Sequence, residues 1–576
     1  MHWLDWSIVL AYLSYIALSG IRLGRKSDSL DSFLLAGRSM PWWAVGLSVM
    51  ATQMSAITIV GTTGKAYEDG LRFIQFYFGL PLAMVLLCMT LVPFFHTSRI
   101  YTAYEYLERR FDAKTRTLAG LVFLLSRGLS CGVVIAAPSV ILSIVLGWNE
   151  LLIILSMGLT TVLYTMIGGV TAVTWTDVRQ MIIIFCSLIA CASVIYLSLP
   201  DSVTISGAAV LAAASGKMTA VDFNPSFSET YTFWSGMLAG TFLMLSYFGC
   251  DQSQVQRYLT ARSVDESKLS LLMSAVLKIP LQLLVLGLGV SVFVYYQFQA
   301  PPLVFEPGVA TQITDPAQRS NYAGLERNFQ QNWMEKRKLA KQLGEGKSGQ
   351  QQIARFNSLH AREIELRREA LGLLAKSKNQ SEYSDVNYIF PKFITTVLPV
   401  GMLGLMIAAI FAAAMSSVSS ELSALASTSV IDVYKRHIHP EDEDSHYLRA
   451  ARLLTLFWGL FACGAAYYAR NLGALIEVVN RFGSFFYGAL LGVFVLALGF
   501  KRANSAGAFY GLISGVLVVS VFDNLPWLAS STGSTALLTL SEHSRISFLW
   551  YNVIGAVTVV LVGLLISAAG RRDHAA

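Results

Sequence analysis

Charged residues are scarce in this chain of 576 amino acids, because Asp, Glu, Lys and Arg together make up only 14% of it. An ordinary soluble domain carries roughly 25% charged residues. Apolar residues instead make up 54% of the chain, and the mean hydropathy is +0.54. This composition excludes a soluble enzyme, a disordered protein and a nucleic-acid binder. We therefore expect no enzymatic activity and no nucleic-acid partner.

Cysteine is also rare, and its few occurrences form no recognisable site. All of them lie within apolar stretches, and none is part of a C-x-x-C pair. The positions are Cys88, Cys131, Cys186, Cys191, Cys250 and Cys463. The sequence therefore predicts no disulfide framework and no zinc site, and we expect no organic cofactor.

Long apolar stretches dominate the rest of the sequence. A helix needs about 20 mostly apolar residues to cross the hydrocarbon core of a bilayer, and about thirteen stretches meet this requirement. They lie near residues 4–23, 42–65, 73–97, 117–147, 149–168, 174–199, 232–256, 266–297, 396–428, 448–469, 472–499, 506–526 and 547–569. The sequence thus predicts an all-α, multi-pass integral membrane protein.

The basic residues of the connecting loops predict the orientation in the membrane. Loops on one side carry many of them, for example Arg109, Arg110 and Arg116, whereas the short loops on the other side carry few. Positive charge accumulates on the cytoplasmic side of membrane proteins. We therefore predict a protein of the plasma or inner membrane, with its N-terminus outside and its C-terminus inside.

Residues 299–386 interrupt the apolar pattern. This segment is rich in Gln, Glu, Lys and Arg, and we predict two helices in it, near 318–343 and 350–376. A charge-laced helical hairpin is usually a solvated accessory, so we predict an extracytoplasmic insertion without chemistry of its own. It separates predicted spans 1 to 8, within residues 1–298, from spans 9 to 13, within residues 387–576.

Two of the predicted spans carry small and polar residues near mid-membrane. These residues lie at 50–58 in the second span and at 245–254 in the seventh span. The two spans begin two groups of five, which places a first repeat at 42–199 and the start of a second repeat at 232–297. Broken helices at matching positions of two repeats indicate a transport site, because unwound backbone can bind ions. Close packing of small residues is the alternative interpretation.

The ninth span carries a face of small side chains, most of them hydroxyls. Its members are Ala413, Ser416, Ser417 and Ser420. Their spacing of i, i+3, i+4 and i+7 puts them on one side of a helix. Beside carbonyls freed by the break in the second span, they would form an oxygen-only cage suited to a monovalent cation such as Na⁺, since a divalent ion would want more carboxylates. The alternative is a packing face whose hydroxyls bond back to carbonyls one turn earlier.

Several motifs together resemble the solute:sodium symporter family, the relatives of the sodium/glucose cotransporters with a LeuT-type fold. The similarity is carried by residues 50–61, 104–111, 168–177, 254–259 and 412–420, and it covers the chain except for the insertion. It is strongest to the branch that moves monocarboxylates, small anions and vitamins, and weaker to the sugar and sialic-acid branches. The resemblance implies an inverted repeat of five plus five helices, with one extra helix before it and two after it.

The resemblance also implies a sodium site between the second span and the serine face. Matching positions give as ligands the backbone carbonyls of Ala51, Met54 and Ala413 and the hydroxyls of Ser416 and Ser417. Some family members have a second sodium site, whose matching residues here are Asp177, Ser416, Ser419 and Ser420. A helix cap is the alternative role for Asp177.

The same resemblance implies a solute site against the two broken helices. The matching positions are Gln53, Thr58, Tyr77, Tyr247, Phe248 and Asn480. Tyr247 corresponds to an aromatic residue that closes the inner side of this site in relatives. Tyr77 and Met244 stand where sugar carriers have acidic and amide residues, which disfavours a hexose.

Arg127 is a further candidate for solute binding. It lies well inside the fourth span, where an ionisable residue is costly and needs a reason. Three interpretations compete. Arg127 pairs with a carboxylate such as Asp251, it reaches backbone carbonyls or water in a cavity, or its guanidinium holds the carboxylate of an anionic solute.

These features predict a secondary active transporter that couples inward Na⁺ movement to uptake of a small solute. An organic anion such as a monocarboxylate is the first candidate. The alternatives are a Na⁺-coupled symporter for a sugar or another neutral solute, and an H⁺-coupled transporter. A channel is disfavoured because it would not need paired broken helices, and a sensor because it would need an attached signalling domain. A membrane enzyme is disfavoured because no acid–base pair lies within the predicted spans. We expect the transporter to work as a monomer.

Overall fold

Helices form the regular secondary structure throughout the part of the chain that the computed structural model describes. The described residues are 1–24, 28–313, 315–346, 349–378, 380, 383–469, 475–533, 539 and 546–572. For residues 310, 475–482, 526 and 570–572 this description covers the backbone alone. The predicted all-α class is confirmed.

The helices divide into those before and those after residue 299. The first group is α1 (Trp3–Gly24), α2 (Trp42–Gln53), α3 (Ala56–Asp69), α4 (Leu80–Met89), α5 (Ala113–Leu146), α6 (Glu150–Leu197), α7 (Gly240–Gly249), α8 (Gln252–Leu259) and α9 (Val264–Phe298). The second group is α10 (Pro316–Gly344), α11 (Gln350–Ser377), α12 (Val386–Val397), α13 (Met402–Thr428), α14 (Asp444–Ala469), α15 (Leu475–Gly499), α16 (Ser505–Thr532) and α17 (Tyr551–Arg572). Short helices at Leu30–Leu35, Leu91–Thr97, Glu105–Arg110 and Ile205–Ala214 connect them.

Nine helical segments in the described part of the chain are long and apolar enough to cross a membrane. One of them, α6, has 48 residues and therefore holds two predicted spans. Another, Ala56–Met89, joins the second half of the second span to the third. The multi-pass architecture is thus observed, while the count of thirteen spans stays a prediction.

Glycine 169 divides α6 at the junction of these two spans. Its backbone angles are φ 54° and ψ −156°, which are not helical. Glycine adopts such angles without steric cost because it has no Cβ. A Cβ at this position would lie 2.4 Å from the carbonyl oxygen of Phe33, so the close approach to the Leu30–Leu35 helix also requires glycine.

Two helices are broken where the sequence predicts it. The first break separates α2 from α3 at Met54 and Ser55, whose ψ angles of 70° and 164° are not helical. The second break separates α7 from α8 at Cys250 and Asp251. The side chain of Asp251 caps α8 by accepting a hydrogen bond of 2.9 Å from the backbone N–H of Ser253, which gives the new helix a defined start.

The α13 helix lies at the centre of the protein. About 89% of its most apolar stretch is buried, and it packs against α6, α5, α1 and α2. Its small side chains, such as Ala412, Ala413 and Ala414, permit this close approach on all sides. The serine face of α13 is therefore held against the break between α2 and α3.

The insertion forms a helical hairpin, α10 and α11, that packs onto the ends of the membrane helices. The indole N–H of Trp333 donates a hydrogen bond of 3.0 Å to the carbonyl of Tyr296 at the end of α9. Inside the hairpin, Lys336 and Glu363 form a buried ion pair. Arg367 of α11 pairs with Asp385, 2.8 Å away, just before α12. Its boundaries as a separate unit and its side of the membrane stay predictions.

Candidate functional site

The serine face of α13 meets the broken end of α2 through two hydroxyl groups. The Ser416 hydroxyl donates to the carbonyl of Ala51 at 3.2 Å and lies 3.1 Å from the carbonyl of Ala413. The Ser417 hydroxyl lies 3.2 Å from the carbonyls of both Thr52 and Ala413. The alternative interpretation, back-bonding within α13, therefore describes only half of the contacts. The other half joins two helices.

These groups together supply the donor set that the predicted sodium site needs. Ser416, Ser417 and the carbonyls of Ala51 and Ala413 are all buried, and the remaining predicted ligand, the carbonyl of Met54, belongs to the break itself. All five donors are neutral oxygens, which suits a monovalent cation. The residues present therefore fit Na⁺ by their chemistry.

A second polar cluster surrounds Asp177 of α6 and includes residues of α2 and α13. The hydroxyl of Ser48 donates to Asp177 Oδ2 at 2.5 Å, and Asp177 Oδ1 has no hydrogen-bond partner among the described residues. Asp177 lies in the interior of α6, so it caps no helix end and that alternative is wrong. The Ser420 and Thr52 hydroxyls are 2.8 Å apart, while the Ser419 hydroxyl bonds back to Ser416 at 3.0 Å. A second sodium site here stays a prediction.

A cavity of about 130 Å³ opens between α2, α3, α5, α7 and α13. Five of the predicted solute-binding residues line it, namely Gln53, Thr58, Tyr77, Arg127 and Tyr247. Phe248 does not line it, since this residue is buried behind the cavity with its ring 5.1 Å from that of Tyr247. The side chain of Asn480 lies outside the described residues. Phe73, Phe76, Leu243 and Met244 complete an apolar wall.

Arg127 is the basic residue that lines this cavity, and it is bonded to two carboxylates. Its Nε is 3.0 Å from Asp251 Oδ2, and its Nη1 is 2.9 Å from Glu421 Oε1. Its Nη2 also contacts the hydroxyl of Tyr487. Pairing with Asp251, one of the three interpretations, is therefore present in the structure. One ionised carboxylate is enough to balance the positive charge of Arg127, and two carboxylates contact it.

Glu421 and Tyr487 are site residues that the sequence analysis did not identify. Both line the cavity and both contact Arg127. The signal for Glu421 was available, because an ionisable residue within an apolar span needs a partner. Tyr487 carried no such signal, since aromatic residues are common in membrane helices.

Ser417 belongs to both sites, since it is a predicted ligand of the oxygen cage and also lines the cavity. Thr52 lines the cavity too, and its carbonyl accepts a hydrogen bond from the Ser417 hydroxyl. The proposed ion and solute positions are therefore adjacent, with Ser417 in common. An ion bound at the cage would fix the wall against which a solute rests.

Known proteins resemble this chain over most of its length. A model of the sodium:solute symporter family matches residues 33–326 and 373–515. The chain is 26% identical to the sodium/sialic acid symporter SiaT of Proteus mirabilis, over 98% of this chain and 94% of that protein. It is also 26% identical to the sodium-coupled monocarboxylate transporter 1 of Homo sapiens, over 97% of this chain and 85% of that protein.

A solved structure matches over nearly the whole chain. It shows the substrate-bound outward-open state of a Na⁺-coupled sialic acid symporter, with a TM-score of 0.74, 25% identity and 98% of both chains covered. This match confirms the predicted LeuT-type fold. Sialic-acid and monocarboxylate relatives match at equal identity, so identity does not separate these branches. The family model covers most of the chain, and the protein belongs to the sodium:solute symporter family as a multi-pass, Na⁺-coupled transporter of small solutes.

Proposed function

We propose that this protein couples inward Na⁺ movement to the uptake of a small organic anion, such as a monocarboxylate. The observation that carries the proposal is the shared wall of Thr52 and Ser417, which joins an oxygen cage for Na⁺ to a cavity containing a guanidinium. Sialic acid and monocarboxylates, the solutes in the names of the relatives, both carry a carboxylate, which supports an anionic solute. The ligands proposed for Na⁺ are Ala51, Met54, Ala413, Ser416 and Ser417.

Coupling follows from the shared wall by linkage. When Na⁺ orders the broken end of α2 against α13, the solute meets a wall that is already formed. Each ligand then raises the affinity of the protein for the other by the same factor. The aromatic side chains of Tyr77 and Tyr247 would enclose the solute from two sides.

A second candidate is Na⁺-coupled uptake of a neutral solute such as a sugar. One observation favours it, since Asp251 and Glu421 already balance the charge of Arg127. Under the anion proposal, the guanidinium of Arg127 must exchange one of its hydrogen bonds to Asp251 or Glu421 for a hydrogen bond to the solute. Uptake measurements distinguish the two candidates directly.

The proposal is tested by uptake into proteoliposomes with an imposed inward Na⁺ gradient. The panel contains lactate, pyruvate, nicotinate, pantothenate and sialic acid, together with glucose and galactose as neutral solutes. We expect at least one carboxylate to accumulate, and to lose this accumulation when K⁺ replaces Na⁺. Accumulation of neutral solutes alone, or uptake driven equally well by a proton gradient, would overturn the proposal.

Replacing Arg127 tests its role in solute binding. Arg127→Lys keeps the positive charge but loses the planar fork, so we expect a half-saturating concentration for the carboxylate about 10-fold higher or more. The half-saturating Na⁺ concentration should change much less. An Arg127→Gln protein that folds and takes up the carboxylate with unchanged half-saturation would assign Arg127 to structure alone.

A further inference from the structure

The α9 helix carries a row of polar side chains that the proposed function does not use. The row comprises Ser270, Ser274, Lys278 and Gln282, all fully buried. A spacing of four residues keeps them on nearly the same side of the helix. Such a row in a membrane helix faces protein or a cavity rather than lipid.

The packing of α9 places Lys278 and Gln282 beside the break between α2 and α3. Towards one end, α9 touches α2, because a Cβ on Gly46 would lie 2.9 Å from the carbonyl oxygen of Ser270. Towards the other end it touches α3, because a Cβ on Gly289 would lie 2.3 Å from the carbonyl oxygen of Thr63. Lys278 and Gln282 lie between these two contacts.

Direct contacts of the ammonium group agree with this placement. Lys278 Nζ lies 4.0 Å from Met54 Sδ, in the break itself. It also lies 5.4 Å from the centre of the Tyr77 ring. Tyr77 lines the cavity, so its ring is a neighbour of both the cavity and the ammonium.

The two polar residues at this level have no adequate partner within the described part of the chain. Both amide atoms of Gln282 lack a hydrogen bond there, and Lys278 forms no ion pair with any described carboxylate. The two serines of the row differ, since Ser270 and Ser274 bond back to carbonyls of their own helix at 2.7 Å. A buried amine without a partner, charged or neutral, destabilises a folded protein because it loses its hydrogen bonds to water. Folding alone therefore gives no reason for Lys278.

We propose that Lys278 and Gln282 form a binding site for a monovalent anion at the break between α2 and α3. The anion is either the carboxylate of the transported solute or a free halide such as chloride. An ammonium and a carboxamide N–H₂ group together offer several hydrogen-bond donors, which suits either anion. The first of these sources rests on the proposed function, whereas the second does not.

The start of α3 adds to the positive potential at this site. The helix has 14 residues and begins at Ala56, and the side chain of Ser55 makes no capping hydrogen bond. The N-terminus of a helix attracts negative charge through its free N–H groups. Arg127 is paired with Asp251 and Glu421. When protonated, Lys278 would supply a positive charge that is not paired in this way. Lys278 contacts the side chain of Met54, whereas the proposed cage uses the backbone carbonyl of Met54, so the two sites use different groups of this residue.

The test uses purified full-length protein and measures its melting temperature against anion concentration. Sodium is held constant with sodium sulfate while sodium chloride, or the sodium salt of each carboxylate in the uptake panel, is added. The variants are Lys278→Met, Lys278→Arg and Gln282→Leu. Lys268→Met is the matched control, because Lys268 lies on the same helix ten residues earlier and pairs with Asp265 at 3.8 Å near the helix start.

We expect at least one anion to stabilise the wild-type protein. Lys278→Met should raise the half-saturating anion concentration about 10- to 100-fold, because a charge-assisted bond is lost. Lys278→Arg should keep most of the affinity, Gln282→Leu should lose part of it, and Lys268→Met should match the wild type. A response to chloride identifies a free halide, and a response to a carboxylate alone identifies the solute.

The melting temperature without added anion distinguishes anion binding by Lys278 from a purely structural role of this residue. Lys278→Met removes an unpartnered buried charge, so it should melt at a higher temperature than the wild type in sodium sulfate. A lower melting temperature, or an anion dependence equal to that of the wild type, would overturn the anion site. Absence of Na⁺-driven uptake with an intact Lys278-dependent anion response would overturn the proposed function instead.

Discussion

At the scale of single residues, each serine hydroxyl at the proposed cage joins two helices. Ser417 contacts the carbonyl of Thr52 on α2 and that of Ala413 on α13, both at 3.2 Å. Ser417→Ala removes one oxygen from a cage of about five and should raise the half-saturating Na⁺ concentration for uptake about 5- to 30-fold. A Na⁺ titration of solute uptake measures this.

The matched controls come from the same helix. Ser417→Thr keeps the hydroxyl and should keep most of the Na⁺ affinity. Ser423→Ala removes a buried hydroxyl for which the structure gives no contact with α2, and it should leave the Na⁺ dependence unchanged. If Ser417→Ala behaved like Ser423→Ala, Ser417 would not be a sodium ligand.

Local sequence patterns predicted some of these residues and not others. The serine face follows from spacing within one helix, and its contact with the break follows from the family resemblance. Pairing of Arg127 with Asp251 was one of three interpretations of the sequence, whereas its second partner, Glu421, lies 294 positions away and was not identified. Lys278 lies within the predicted span 266–297 and was not identified as a candidate, although a lysine in an apolar span indicates a functional site.

At the scale of elements, the α10–α11 hairpin contains a buried histidine that should make it sensitive to acid. Burial and the neighbouring charges of Lys336 and Lys217 lower the pKa of His360 far below its usual 6.5, to about 2. Neither ring nitrogen has a hydrogen-bond partner among the described residues. The folded hairpin therefore holds a neutral imidazole, whereas the unfolded chain takes up a proton below pH 6.5.

The sign of the effect follows from this difference. Stability is fully present above pH 6.5 and is lost as the pH falls below it, by about 2 kcal/mol at pH 5. His360→Leu should therefore show a smaller decrease in unfolding free energy between pH 7 and pH 5 than the wild type. Denaturation curves recorded at pH 7 and pH 5 for both proteins measure this difference.

The control for this prediction is His2→Leu, since His2 is exposed near the N-terminus. It should show the same pH dependence as the wild type. An equal decrease for His360→Leu and the wild type would mean that His360 is not the group that takes up the proton.

Among the elements, the positions where helices are broken were more predictable than the positions where two predicted spans form one helix. Small and polar residues at 50–58 and 245–254 mark the breaks, because such residues are poor at forming a continuous apolar helix. No comparable sequence pattern indicates that two predicted spans belong to the one helix α6. Its turn at Gly169 depends on the approach of Phe33, which is a tertiary contact and not a local pattern.

At the scale of the whole molecule, the protein should behave as a linked system of two ligands. Saturating solute should lower the half-saturating Na⁺ concentration, and saturating Na⁺ should lower that of the solute by the same factor, about 5- to 150-fold. Calorimetric titration of one ligand at fixed concentrations of the other measures both factors. Two independent affinities would contradict a shared wall at Thr52 and Ser417.

The family and the fold were predictable because the motifs are spread over most of the chain. The solute was not, because its specificity depends on side chains that meet only in three dimensions. The charge at the cavity illustrates this. Arg127 alone indicates an anion, but its pairing with Asp251 and Glu421 depends on residues that are distant in the sequence.

The two walls of the cavity differ in how freely they can evolve. Ser417 is a proposed ligand of the driving ion, and Thr52 accepts its hydrogen bond, so a mutation at either residue should alter the coupling to Na⁺. Phe73, Phe76, Tyr77 and Met244 line the opposite, aromatic and apolar side, and the structure gives none of them a contact with the cage. Substitutions on that side can therefore change which nutrient is carried while the ion gradient that drives uptake stays the same.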